Sequence, residues 1–323
     1  MTSTHPTPTT LRARTPEDLL AAVPCILGFR PADSVVMLTF GRPGHTFHAR
    51  VDLPSDPADH PAAVAVLLDP VLRHGLERVA FVLYTRDPVP AELLADELAS
   101  GFAEAGVEVV EVLRADGERW FPLSPWRGPG DEGGRPYDDR THRFLAQSVL
   151  EGRVTHESRE ELADSLVGTD LASIEAVARA ARQAADDHPS HAAERHWVGS
   201  AVRRVLAGDR LDDTEVGRLL VACTKVELRD EAWLLMDRAS AAAHVELWRD
   251  VVRRSPTDLL AAPAALLAFA AWLSGHGALA WCALDRCAEA DPGYRMAGLV
   301  AGALEQALPP TAWSSPPAGG SRH

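Results

Sequence analysis

The stretch Thr15-Pro-Glu-Asp-Leu-Leu-Ala-Ala-Val-Pro-Cys-Ile-Leu-Gly-Phe-Arg-Pro-Ala-Asp-Ser-Val-Val-Met-Leu38 decides the fold class. Thr15 has the character of a helix N-cap, Pro16 suits the first helical position, and Glu17 and Asp18 favour the positive end of the helix dipole. Leu19, Leu20 and Val23 form one apolar face, and Pro24 ends or kinks the helix. After a bend punctuated by Gly28 and Pro31, a strand runs from Ser34 to Phe40. It is apolar on both sides, with Val35 and Met37 on one and Val36, Leu38 and Phe40 on the other. A strand of that kind belongs in the middle of a covered sheet. Arg30, Asp33 and Ser34 are the polar residues at the turn.

Working outward, Gly41-Arg-Pro-Gly44 turns the chain into a second strand over 46–53. There Phe47, Ala49, Val51 and Leu53 alternate with His48, Arg50 and Asp52. A helix is expected near 58–73, a strand over 78–84, a helix near 90–105 stopped by Gly106, and strands over 108–114 and 119–123. Asp116-Gly117 joins the last two as a hairpin. This order predicts an α/β domain over 11–123, a mixed sheet with flanking helices. Residues 124–141, rich in Gly, Pro, Arg and Asp, are expected to be a linker or a long exposed loop.

The remainder, 142–308, predicts an all-α domain of helical hairpins. Helices are expected near 142–151, 158–166, 170–187, 190–207, 213–223, 229–242, 244–254, 257–273, 277–289 and 293–307. Ser158-Arg-Glu-Glu161 is a capping-box pattern. In the last hairpin Leu267, Ala268, Ala280, Leu284, Cys287 and Pro292 fall near the packing positions of a tetratricopeptide repeat. Ordinary antiparallel packing with Ala at close contacts is the preferred reading, and degenerate repeat-like units are the alternative. The Thr/Pro-rich 1–10 and the Pro/Gly/Ser-rich 309–323 are expected to be disordered tails.

Composition excludes several functions. The 323 residues carry a formal net charge of −14, which disfavours nucleic acid and anionic membranes. There are 31 Arg, a single Lys (Lys225) and no Asn. No P-loop Lys follows a glycine turn, a Schiff base could use only Lys225, and the Asn of a kinase catalytic loop is missing. Cys25, Cys223, Cys282 and Cys287 lie in apolar surroundings, as free thiols in a reducing compartment do. The apolar run 259–273 is too short to span a bilayer and contains Pro263. A cytoplasmic protein without cofactor is expected.

Three segments carry a family resemblance: the opening block with Arg50-Val-Asp-Leu-Pro54; Ala146-Gln-Ser-Val-Leu-Glu-Gly-Arg-Val-Thr-His-Glu-Ser-Arg-Glu-Glu-Leu162; and Leu267-Ala-Phe-Ala-Ala-Trp-Leu-Ser-Gly-His-Gly-Ala-Leu-Ala-Trp-Cys-Ala-Leu284 with Asp291-Pro-Gly-Tyr294. Together they resemble an actinobacterial family, domain of unknown function 4192. The resemblance covers nearly the whole chain and supplies no activity, substrate or catalytic residue. It implies a Cys-containing stretch in many relatives near 124–134; this chain has none there.

Gly128-Pro-Gly-Asp-Glu-Gly133 matches G-x-G-x-x-G but lacks the flanking strand and helix, so it reads as an exposed loop. His48, Arg50 and Asp52 form a polar stripe that could hold a ligand. The favoured alternative is an edge strand guarded by an Arg50–Asp52 ion pair. Asp33 and Ser34 read as turn caps, since no G-x-S-x-G elbow is present. Arg30 could bind an anion or a carboxylate. Arg86, after the third strand, stands where open α/β sheets bind ligands. Asp186-Asp187-His188 with His191 and His196 lacks metal spacing. Trp272, His276 and Trp281 could line a partner groove. The leading expectation is a non-enzymatic interaction or regulatory protein with a protein partner. The alternative is an enzyme or sensor for a small anionic ligand at the open end of the sheet.

Overall fold

The computed structural model describes residues 12–41, 46–150, 153–187 and 189–313. The chain divides into two compact units, Met1–Arg159 and Glu160–His323. The tail expected at 1–10 lies outside the described residues.

The first unit is built in the expected order. Helix α1 (Pro16–Leu27) is followed by β1 (Ser34–Phe40), β2 (His48–Asp52), α2 (His60–Arg73), β3 (Arg78–Tyr84), α3 (Pro88–Glu104), β4 (Glu108–Ala115) and β5 (Arg119–Pro122). Thr15 caps α1 by accepting the Asp18 N–H at 3.2 Å, and the helix runs through Pro24 to end at Gly28, whose φ of 80° closes it.

The sheet order is β2-β1-β3-β4-β5-β6, with β6 a two-residue strand (Arg135–Pro136). Strand β1 lies between β2 and β3, antiparallel to both, so its two apolar faces are both covered. β3 and β4 are parallel. The connections β2-α2-β3 and β3-α3-β4 advance in the same direction across the sheet, so right-handed crossovers put both helices on one face. Leu67 and Val71 of α2 and Leu94, Leu98 and Phe102 of α3 pack there with Val35, Met37 and Phe81. On the opposite face Leu19, Leu20 and Val23 of α1 meet Val36, Leu38, Val82 and Trp120.

The segment 124–141 falls inside the first unit and forms a loop held against the sheet. β6 pairs with β5, and the Arg119 side chain donates to the Gly133 carbonyl (2.8 Å) and the Gly134 carbonyl (3.0 Å), tying the loop to the sheet. Helix α4 (Arg143–Leu150) then packs on α1 through Phe144, against Ala21, Ala22 and Cys25. It therefore belongs with the sheet, and the division of the chain falls later than composition suggested.

The second unit is helical: α5 (Arg159–Asp164, crossing the division), α6 (Leu171–Asp186), α7 (His191–Leu206), α8 (Asp213–Cys223), α9 (Val226–Trp233), α10 (Ala241–Arg254), α11 (Ala261–Leu273), α12 (Gly277–Ala290) and α13 (Arg295–Glu305). The helix expected over 229–242 is instead the shorter α9, and α10 starts earlier than 244. Asp237 and Ser240 explain the break. The Ser240 N–H donates to Asp237 Oδ1 (2.8 Å) and the Asp237 N–H to Ser240 Oγ (3.3 Å), a local alternative to helix hydrogen bonds. Every residue of α11 from Ala262 to Leu273 is buried. No helix among the described residues is long and apolar enough to cross a membrane.

Candidate functional site

Arg30 is a brace, not an open anion hook. Its guanidinium pairs with Asp139 and lies 3.5 Å from a Glu157 carboxylate oxygen. Its N–H donates to the His156 carbonyl (3.0 Å), and the His156 N–H donates back to Gly28 (2.8 Å). Residues 28–30 are thus stitched to 156–157. Beside them the Cys25 thiol is pushed up by burial, against a hydrogen bond from Ser148 and the charge of Arg153. Burial raises the Tyr84 phenol well above its ordinary value and takes Tyr137 to about 12, with the Asp139 charge adding to both. Both phenols therefore stay neutral, and the Tyr84 hydroxyl is buried without a hydrogen-bond partner.

Ser34 and Asp33 do turn chemistry. The buried Ser34 hydroxyl donates to the Ala32 carbonyl at 2.6 Å. Asp33 sits at φ 42°, a left-handed conformation that Asp tolerates, and its carbonyl accepts the Leu53 N–H at 2.9 Å.

β2 is an edge strand. Arg50 pairs with Asp52 at 2.7 Å, and His48 is exposed. Arg86 stands exposed in the β3–α3 loop, where Asp87 caps α3 through the Val89 N–H (3.0 Å). Sequence reasoning passed over Arg114. It is buried, its Nη1 donates to the Thr85 carbonyl (3.2 Å) and the Arg86 carbonyl (3.4 Å), and its guanidinium lies 3.9 Å from the Phe121 ring centroid. Arg30 and Arg86 lie in the loops at the Ser34/Tyr84 end of the sheet and Arg50 in the middle of β2 opposite Val36, and Arg30 and Arg50 already hold carboxylates of their own. They do not assemble one charged pocket.

The open surface lies on the other side, between α2 and α3. His60 Nδ1 is 3.0 Å from Glu97 Oε1, and a Cβ placed on Gly101 would come 3.0 Å from a Val64 methyl. Both pairs are 37 residues apart, so the two helices run parallel and in register. A groove follows their seam, lined by Pro61, Val64, Ala65 and Leu68 of α2 and by Asp96, Glu97, Ser100, Gly101 and Glu104 of α3. Leu72 (49% exposed) continues the α2 row past the end of the groove and Val89 (60%) and Leu93 (47%) of α3 precede its start, while Val66 (61%) stands in solvent on the flank of α2 turned away from α3. The signal was in the sequence. His60-Pro-Ala-Ala-Val-Ala-Val-Leu-Leu-Asp-Pro-Val-Leu-Arg73 is apolar on nearly every side, and a helix of that kind normally has every face covered.

A family model matches residues 16–311, from the first turn of α1 past the end of α13. The chain belongs to that family, the domain of unknown function DUF4192. No curated protein and no solved structure matches it.

In this DUF4192 protein Trp272 and His276 of the helical unit already have hydrogen-bond partners. Trp272 is buried, and its Nε1–H donates to the Leu308 carbonyl at 3.0 Å. His276 Nδ1 lies 3.2 Å from Ser274 Oγ, and Trp281 is half-buried. Residues 309–313, expected to be part of a disordered tail, are instead seated. Trp313 stacks on Trp233 (5.3 Å between centroids), meets Phe269 edge-on (4.9 Å) and donates to the Met236 carbonyl at 3.1 Å. The rest of that tail, 314–323, lies outside the described residues. The glycine motif at 128–133 closes on itself, with Asp131 accepting the Gly128 N–H at 2.9 Å. Among the described residues no three His, Cys, Asp or Glu side chains gather as metal ligands, and His188 lies outside them.

Proposed function

We propose that this protein is a non-enzymatic interaction module and that the outer face of α2 and α3 is its binding surface. One observation carries the reading: α2 is apolar on nearly every side, yet lies in the outermost layer with Pro61, Ala62, Ala65, Val66 and Leu72 facing water. A contiguous exposed apolar patch beside a groove is what a protein-binding site presents before its partner arrives. The helical unit serves as a second scaffold, and its α11–α12 hairpin carries tetratricopeptide-like spacing. Four free buried cysteines favour a reducing, cytoplasmic setting. The test is a photo-crosslinking amino acid introduced at Ala65 in the native host, with the exposed Arg210 as control site. A discrete protein adduct specific to position 65 is expected; equal labelling at both positions refutes the reading.

A second reading rests on the unpartnered Tyr84 hydroxyl beside Arg30 and Asp139: a small anionic ligand entering the open end of the sheet. Stabilisation by inorganic phosphate that disappears in Tyr84→Phe would favour it. An equal shift in both proteins would remove it.

A further inference from the structure

We infer that the α2–α3 groove receives a cationic amphipathic helix of a partner protein. The inference rests on reading this face as a binding surface and adds the chemistry of its occupant.

The shape of the seam favours a helix. Pro61, Val64, Ala65, Leu68 and Leu72 recur on α2 at three- and four-residue steps, and so form one stripe. Val89, Leu93, Glu97, Ser100, Gly101 and Glu104 do the same on α3. With the two helices parallel and in register, 60–67 of α2 lie beside 97–104 of α3, so the stripes flank a shallow trough over about two turns; Val89 and Leu93 precede its start and Leu72 lies beyond its end. The lined stretch from Pro61 to Leu68 spans about 10 Å at 1.5 Å per residue, room for about two turns of a docked helix. Gly101 and Ala65 keep its floor low, so an incoming ridge of Leu-sized side chains can reach Val64 and Leu68.

The charge selects the partner. The lining contains three carboxylates, Asp96, Glu97 and Glu104, and no Lys, Arg or His. Glu97 lies 3.0 Å from His60 Nδ1, while Asp96 and Glu104 stand exposed. Asp69 of α2, also exposed, is one turn from Ala65 and Leu72. A second copy of the chain would set these acids against one another, within a protein of net charge −14. Anionic lipid and nucleic acid meet the same repulsion. A helix with a Leu-type stripe flanked by Lys or Arg satisfies both floor and rim, and such pairing is steered at long range and weakened by salt.

The test uses the full chain and two fluorescein-labelled 16-residue peptides of Leu, Ala and either Lys or Glu, with identical Leu positions at helical spacing. Anisotropy titrations at low salt should show the Lys peptide binding about tenfold or more tighter than its Glu twin, with the preference shrinking as salt rises. Ala65→Trp, which fills the trough, should abolish binding of the Lys peptide. Asp96→Asn/Glu104→Gln should erase most of the discrimination. The control Glu118→Gln/Glu132→Gln, on the β4–β5 turn and the loop beyond, removes equal charge and should leave the discrimination intact. If both peptides bind equally and Ala65→Trp abolishes both, the cationic assignment falls while the surface reading stands. If Ala65→Trp changes nothing, or neither peptide binds, the groove is not a helix site and the inference is overturned. If the control pair matches the rim pair, the attraction belongs to the chain's overall charge and the inference is likewise overturned.

Discussion

Helices α2 and α11 are close relatives in composition and opposites in circumstance. α2 contains His60, Asp69 and Arg73 as its only non-apolar side chains among fourteen residues; α11 has none among thirteen. α11 obeys the rule that an all-apolar helix is a buried helix, with α10, α12 and α13 around it. α2 covers one face of the sheet with Ala63, Leu67 and Val71, tucks Val64 and Leu68 partly against the same core, and leaves Pro61, Ala62, Ala65, Val66 and Leu72 in water. The difference teaches that hydrophobicity in excess of what the fold needs marks a surface. In α11 the apolar residues are explained by packing. In α2 half of them are not, and an interaction is the remaining explanation.

That contrast can be broken by mutation. Leu267 of α11 is fully buried, and Leu267→Ala should cost about 2–5 kcal/mol in denaturant unfolding. Leu72→Ala in α2 should cost less than about 0.5 kcal/mol. Similar losses at the two sites would mean that α2 is structural after all.

The glycines extend the comparison. A Cβ on Gly217 would meet Ala180 Cβ and the Ala181 nitrogen at 2.7 Å, where α8 crosses α6. Gly217→Ala should therefore destabilise by about 1–3 kcal/mol. Gly101→Ala meets only the tip of Val64 at 3.0 Å and gains helix propensity, so it should lie within about 1 kcal/mol of the parent. Thermal unfolding of the two variants sharpens the distinction between a tightly packed seam and an open one.

A smaller effect depends on pH. Burial draws His244 of α10 down from 6.5 to about 4, against the opposing pull of its hydrogen bond to Leu235 and the charge of Asp237. The unfolded chain therefore takes up this proton first as pH falls. Stability should decline through this group between pH 6.5 and 4, by up to about 1.4 kcal/mol per pH unit, and be independent of it above that window. His244→Gln should flatten that part of the unfolding profile. An unchanged slope would show that another group controls it. The smallest effect is expected at the outer layer: Val66→Lys should leave the melting temperature within about 2 °C of the parent, corresponding to less than 0.5 kcal/mol.

The sheet was legible because β1 and the Asp116-Gly117 hairpin carry their context in their own residues. A strand apolar on both faces needs neighbours on both sides, and β1 has them. The guarded edge at Arg50–Asp52 was legible for the same reason. What escaped depends on residues far apart in the chain. β6 hides in a Gly/Pro-rich loop because the Arg119 side chain, not β propensity, fixes it to the sheet. Trp313 is seated by Trp233 and Phe269, which no local pattern connects to a Pro/Ser tail. Arg30 looked like a ligand hook because Asp139 and Glu157 lie more than a hundred residues away. The groove escaped because periodicity reports how apolar a helix is, not which layer it occupies.

The stitch between residues 28–30 and 156–157 also sets a condition on synthesis. As the chain leaves the ribosome, α1 and β1 emerge early, but the partners of Arg30 and the backbone partner of Gly28 arrive only 109 to 128 residues later. A nascent chain ending near residue 123 holds all five main strands and still lacks the carboxylates that neutralise this arginine. The first unit therefore closes late, when its last residues return to its first helix, and the earlier intermediates must wait with that end of the sheet unlatched.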